Sequence, residues 1–197
     1  MIQCNNISLS FPDKVIFDNL DLLVEKGENV CLSGPSGIGK STLLKLFLGF
    51  MTPDHGEIRI NNQKLNEASI KQIRENITWI PQNINLPVEN GSDLMKLMNV
   101  SSRQGSVEDL LQRLGLKKDI IAEPFGNISI GEKQRIIISI CLSLDKEIIL
   151  MDEPTASLDD DSIDLLINTI KSLEGKTIVS ASHNRLWVES CDKKISL

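Results

Sequence analysis

Apolar and polar residues along this chain alternate with two different periods, and the changes of period mark out its elements. Ile2 to Ser10 alternates with period two, as a half-buried strand does, and Phe11-Pro12-Asp13-Lys14 then reads as a turn. Phe17 to Val24 is a second strand-like run. Glu25-Lys26-Gly27-Glu28 turns into a third strand, Asn29-Val30-Cys31-Leu32-Ser33. A helix-like run, Leu43 to Leu48, follows a glycine-rich loop, with Pro53-Asp54-His55-Gly56 expected to end that helix. Glu57 to Asn61 and Asn76 to Ile80 read as further strands, with a short helix over Ile70 to Arg74 between them.

The pattern changes from about Pro87 to Asn127, where strand alternation is absent. Helix-like stretches fall near Ser92–Asn99 and over Val107–Leu114, the second with Val107, Leu110, Leu111 and Leu114 at i, i+3, i+4 and i+7. The apolar run from Ile136 to Leu144 is rich in β-branched residues, but its length favours a buried helix. Glu147-Ile148-Ile149-Leu150-Met151-Asp152-Glu153 is an apolar run ending in two carboxylates, the mark of a buried parallel strand. Helical spacing returns at Ile163, Leu166, Ile167, Ile170 and Leu173, with Asp160 or Asp161 near the cap. Strands over Thr177–Ser182, ending at His183, and Asp192–Leu197 close the chain. The order predicts one α/β domain with a parallel sheet and a helical insert.

Composition narrows the class without naming a function. The 197 residues suffice for one domain, and 41% hydrophobic with 24% charged is ordinary for a globular protein. No apolar run approaches a membrane span, and Met1 to Asn6 lacks the basic start and apolar stretch of a signal peptide. A cytoplasmic protein is expected. The net charge of −6 argues against nucleic acid as a partner. Cys4, Cys31, Cys141 and Cys191 lie far apart, with no paired spacing, and read as reduced thiols.

The chemistry starts in the glycine-rich loop. Gly34-Pro35-Ser36-Gly37-Ile38-Gly39-Lys40-Ser41-Thr42 fills the phosphate-loop pattern between a strand and a helix. Its glycines let successive N–H groups point inward at an anion, and the following helix adds its positive end. Lys40 can reach the β- and γ-phosphates and the Ser41 hydroxyl can ligate Mg²⁺. Ligands of parallel sheets gather at the carboxyl ends of strands. Four strands here end in polar groups: the loop, Gln82, Asp152-Glu153 and His183. Alone, Gln82 reads as a loop residue and His183 as a surface or capping histidine; convergence gives both a role. Asp152 is expected to hold Mg²⁺ and Glu153 to orient or deprotonate the attacking water.

These residues resemble the ATP-binding subunits of ABC transporters over nearly the whole chain. Gly34–Thr42 is similar to Walker A and Gln82 to the Q-loop glutamine. Ile128-Ser129-Ile130-Gly131-Glu132-Lys133-Gln134-Arg135 is similar to the signature, Ile148–Glu153 to Walker B, Ser157-Leu158-Asp159 to the D-loop, and His183 to the switch histidine. The resemblance implies a P-loop NTPase of RecA-like core, formed by residues 1–86 and 128–197 with an antiparallel β subdomain, and a helical subdomain over about 87–127. It implies ATP with Mg²⁺ held by Ser41, Gln82 and Asp152, and Phe11 stacking on adenine, although an early core Phe is the other reading. It also implies a head-to-tail pair, as a homodimer or with another ATPase subunit. Ser129, Gly131, Glu132 and Asp159 of one copy would complete the site of the other, and integral membrane subunits would receive the motion at the cytoplasmic face. Ile130 replaces the usual first glycine of the signature and Glu132 the usual glutamine. A residue forced to positive φ at Ile130, or a carboxylate of Glu132 aimed at phosphate, would weaken that half of the site.

Two other classes fit parts of the pattern. A soluble ATPase of the same fold could act on ribosomes or DNA, but such relatives usually carry two such domains or a coiled-coil insertion. A regulator with a degenerate site would bind nucleotide without turning it over, which a Glu153→Gln variant tests.

Overall fold

The computed structural model describes residues 1–82 and 87–197. Along the chain run β1 (Ile2–Phe11), β2 (Lys14–Val24), β3 (Asn29–Ser33), α1 (Lys40–Phe47), β4 (His55–Ile60), β5 (Gln63–Lys64), α2 (Ile70–Glu75) and β6 (Ile77–Ile80). Then come α3 (Gly91–Leu97), α4 (Gln104–Arg113), α5 (Ile130–Ser143), β7 (Ile148–Asp152), α6 (Asp160–Lys171), β8 (Thr177–Ala181), α7 (Arg185–Ser190) and β9 (Lys193–Ser196). Among the described residues no helix is long and apolar enough to cross a membrane.

The strands form two sheets of different character. An antiparallel sheet runs β2-β1-β4-β5, and a parallel sheet runs β6-β7-β8-β3-β9. The composition of each strand explains the division. β7 and β8 are buried at every residue, as the centre of a covered parallel sheet requires. β1 and β2 alternate instead, and their pairing shifts register three times, between Cys4 and Ile7, Ile7 and Leu9, and Leu9 and Ser10. One hydrophobic core joins β1, β2 and β4 to α1 and one face of the parallel sheet. The other joins the opposite face to α4, α5 and α6, with Trp187 of α7 fully buried and donating to Ser180 Oγ at 2.9 Å.

Several sequence expectations need adjusting. The second strand starts at Lys14 rather than Phe17, so the first turn shrinks to Pro12-Asp13. The helix after the phosphate loop stops at Phe47, well before Pro53. Gly49 sits behind it at φ +61°, and Arg74 donates to Leu48 O at 2.7 Å and Gly49 O at 3.2 Å. Gly49 N donates to Leu46 O at 2.9 Å and Phe50 N to Lys45 O at 3.0 Å, the left-handed glycine cap that ends the helix, and Arg74 covers the carbonyls beyond it. Asp160 and Asp161 lie in the first turn of α6, near its cap as expected, and the cap itself is Asp159, accepting from Ser162 N at 2.8 Å. The short strand β5 and the helix α7 are further elements that the periodicity does not predict. The run from Ile136 is helical, as its length suggested. The expected junction between core and helical subdomain, at residues 86 and 87, falls partly outside the described residues.

Candidate active site

The carboxyl ends of β3, β6, β7 and β8 lie side by side in the parallel sheet. Each feeds one polar group into the same place. A cavity of about 680 Å³ is lined by Phe11, the phosphate loop, Gln82, Glu153 and His183. Of the loop residues from Gly34 to Thr42, Ile38 alone turns away from it.

The loop is shaped by its glycines and by what packs on it. Gly39, the residue before α1, has φ +118°, and a Cβ there would meet Ile16 Cγ2 at 2.7 Å and Phe17 Cζ at 2.9 Å. Only glycine allows that backbone and lets the hairpin of β1 and β2 rest on the loop. Lys40 is buried, and its Nζ donates to Gly34 O at 2.8 Å and Pro35 O at 3.1 Å. The ammonium thereby lies across the curl of the loop, where a phosphate chain would meet it.

The carboxylate pair occupies the end of β7. Asp152 Oδ1 accepts from Ser41 Oγ at 2.8 Å. Burial pushes the Asp152 carboxyl above its ordinary range, opposed first by the Ser41 hydroxyl, while neighbouring Glu153 adds to the rise. A buried acid disfavoured as an anion, in contact with a hydroxyl, is an oxygen donor set that suits Mg²⁺, whose charge would offset the desolvation.

Glu153 follows in left-handed conformation, φ +48°, unusual for a residue with a side chain. Its N–H donates to Ala181 O at 2.8 Å, extending the β7–β8 ladder by one bond before the chain swerves. The turn sends the carboxyl toward His183, whose Nδ1 lies 3.0 Å from Glu153 Oε1. Glu153 is 8% exposed, and its Oε2 has no hydrogen-bond partner among the described residues. A buried carboxylate held by one oxygen and free at the other is set up to accept from a water or hydroxyl. Gln134 of α5 braces the segment, donating from Nε2 to Pro154 O at 2.8 Å.

Ser129, Gly131, Glu132 and Asp159 do not line this cavity. They gather where α5 begins and α6 begins. Ser129 Oγ accepts from Glu132 N at 3.2 Å, while Glu132 Oε2 accepts from Ser129 N at 2.9 Å and Ser129 Oγ at 2.8 Å. This reciprocal cap turns the Glu132 carboxylate back onto its own helix, and the Ser129 bonds lower its proton affinity. Gly131 fits against the D-loop: a Cβ there would come within 2.6 Å of Ser157 O. Ile130 is not among the residues with positive φ, so the expected strain is absent, and its side chain is 74% exposed.

The sequence reading missed two residues of this region. Lys14 lines the cavity although its sequence context reads as a turn, and Gln134 braces Pro154 although its sequence context shows only a motif position. For Lys14 the available signal was its place opposite an aromatic across a Pro-Asp turn.

Comparison with known proteins agrees with the geometry. The ABC transporter family model matches residues 17–156. A probable amino-acid import ATP-binding protein of Bacillus subtilis is 32% identical over 96% of this chain and 82% of its own length. A probable ABC transporter ATP-binding/permease protein of Haemophilus influenzae is 29% identical over the whole chain, which spans only 38% of that relative. Among solved structures, the dimeric post-hydrolysis state of an ATP-binding cassette bound to ADP and Pi superposes with TM-score 0.88 at 26% identity. That alignment covers 100% of this chain and 94% of that one.

Proposed function

We propose that this chain, which belongs to the ABC transporter family, binds and hydrolyses ATP as a transporter's cassette and drives transport through membrane subunits at the cytoplasmic face. The observation that carries this reading is the meeting of four parallel strand ends at one cavity, each with a different group for triphosphate chemistry.

The roles follow from position. Phe11 is half-exposed at the cavity mouth and offers its ring to the adenine. Residues Gly34 to Thr42 supply backbone N–H groups to the phosphates, with Lys40 as their counter-charge. Ser41 and Asp152, with Gln82 at the end of β6, would hold Mg²⁺, which neutralises charge on the β- and γ-phosphoryl oxygens when bound. Glu153 takes the proton of the attacking water through its free oxygen, and His183 fixes the carboxylate from the other side. Hydrolysis then rests on positioning and charge, as phosphoryl transfer does generally.

Ser129, Gly131 and Asp159 sit away from the chain's own cavity, which supports their acting on the site of a second copy in a head-to-tail dimer. The long α5 would present its amino end to that nucleotide. Residues about 87–127, helical wherever the chain forms an element, are read as the subdomain that hands motion to the membrane subunits.

The test is phosphate release by wild type and Glu153→Gln. Loss of a general base lowers the rate by about 10²- to 10⁴-fold. ATP binding should persist in the variant, which should then accumulate as an ATP-dependent dimer on size-exclusion chromatography. Equal rates in the two proteins would remove Glu153 from the chemistry. Copurification of the chain with soluble partners alone would count against a transporter.

A further inference from the structure

We infer that Lys14 is a second cation for the nucleotide's phosphate chain, delivered by the same hairpin that presents Phe11. This rests on the nucleotide reading of the cavity and adds a residue that no motif contains.

The hairpin places the two side chains together. Phe11 ends β1 and Lys14 begins β2, and the two are directly paired across the Pro12-Asp13 turn. Residues directly opposite on antiparallel strands project to the same face. Both line the cavity. The three register shifts along β1 and β2 decide which face that is, since a one-residue slip would turn both away.

Lys14 is also already on the loop. Its Nζ donates to Gly37 O at 2.7 Å, and a Cβ on Gly37 would lie 4.0 Å from that nitrogen. Ile16 and Phe17 hold the same hairpin against Gly39, two residues further along. The hairpin thus meets the loop at two places, and the ammonium lies at the loop's rim on its bond to Gly37 O. Among the described residues its one hydrogen-bond partner is a neutral carbonyl, and it makes no ion pair. A triphosphate carries the charge that would engage it, and an ionised acceptor binds an ammonium more strongly than a carbonyl does. Lys40 opens α1, which follows the parallel strand β3, and Lys14 opens β2 of the antiparallel sheet. Nucleotide would thus draw the two sheets onto one ligand.

The experiment is calorimetric titration of the full chain with ATP, ADP and AMP at low and high salt. The proteins are wild type, Lys14→Met, Lys14→Arg and Lys40→Ala. Lys14→Met keeps the apolar stem and removes the charge. It should raise the Kd for ATP about three- to tenfold at low salt, ADP less, and AMP hardly at all. The ATP effect should shrink at high salt, and Lys14→Arg should restore it. An ATP affinity within twofold of wild type, or the same loss for all three nucleotides at every salt concentration, would overturn the assignment. Lys40→Ala separates this from the broader reading. If it binds ATP as wild type does, the cavity is not a triphosphate site, whatever Lys14 does.

Discussion

Glu153 occupies the least comfortable backbone in the site and has the most specific surroundings. Left-handed φ at a residue with a side chain costs roughly 1 kcal/mol, and such strain persists where the surrounding structure imposes it. Here the Ala181 carbonyl, the His183 ring and the Gln134 brace impose it. His183→Ala removes the one hydrogen bond to the carboxylate among the described residues. We expect kcat to fall by about 10- to 100-fold with ATP affinity changed by less than about twofold, read from steady-state kinetics and a binding titration. A fall in affinity without a fall in kcat would place His183 in binding instead. The signature departures are legible at the same scale. Because Glu132 closes a cap on Ser129, Glu132→Gln keeps the cap and should leave the melting temperature almost unchanged, whereas Ser129→Ala should cost about 1 kcal/mol in chemical denaturation.

At the scale of elements, helix ends carry the consequences. Gly131 lies in the first turn of α5 beneath the D-loop backbone, so Gly131→Ala must displace Ser157 or tilt the helix. We expect a lower melting temperature and slower phosphate release with nucleotide affinity retained; an unchanged rate would show that the two segments move independently. The cap of α6 gives a pH signature. Ser162 holds the Asp159 carboxyl below its ordinary range, so its contribution is present above the free-carboxylate value of about 3.9 and is lost as pH falls through the lowered folded value. Asp159→Asn can still cap but cannot titrate, so urea unfolding measured from pH 7 down to pH 3 should show a shallower acid loss in the variant. Much of this was readable in the sequence. The strands ending at Ser33, Ile80, Asp152 and Ala181 were legible because near-complete burial leaves few polar positions, and the groups within two residues beyond each announced the site. The start of β2 was hidden because Lys14, Val15 and Ile16 are exposed or half-exposed on an edge strand. Likewise α7 was hidden because six residues are too few for a helical period, and Trp187 alone of them is buried. The early stop of α1 has a local signal, Gly49 just past the last helical residues, which the more conspicuous Pro53 masked.

At the scale of the whole molecule, the two sheets divide the labour. The parallel sheet gathers the groups proposed for phosphate and water chemistry, and the antiparallel sheet leans its hairpin over the loop. Completing the signature half of the site would need another molecule, so wild type should show cooperative dependence on protein concentration in phosphate release. A specific rate independent of concentration from nanomolar to micromolar would mean a self-sufficient monomer. The strand order has one more consequence, for how the chain is made. Among the described residues, the antiparallel sheet's strands are all made by Lys64, yet β3 pairs with β8 and β9 alone, and Ser180 reaches Val30 across 150 positions. A nascent chain therefore carries its phosphate loop without a floor until β8 has been made, and nucleotide can stabilise the product only after that.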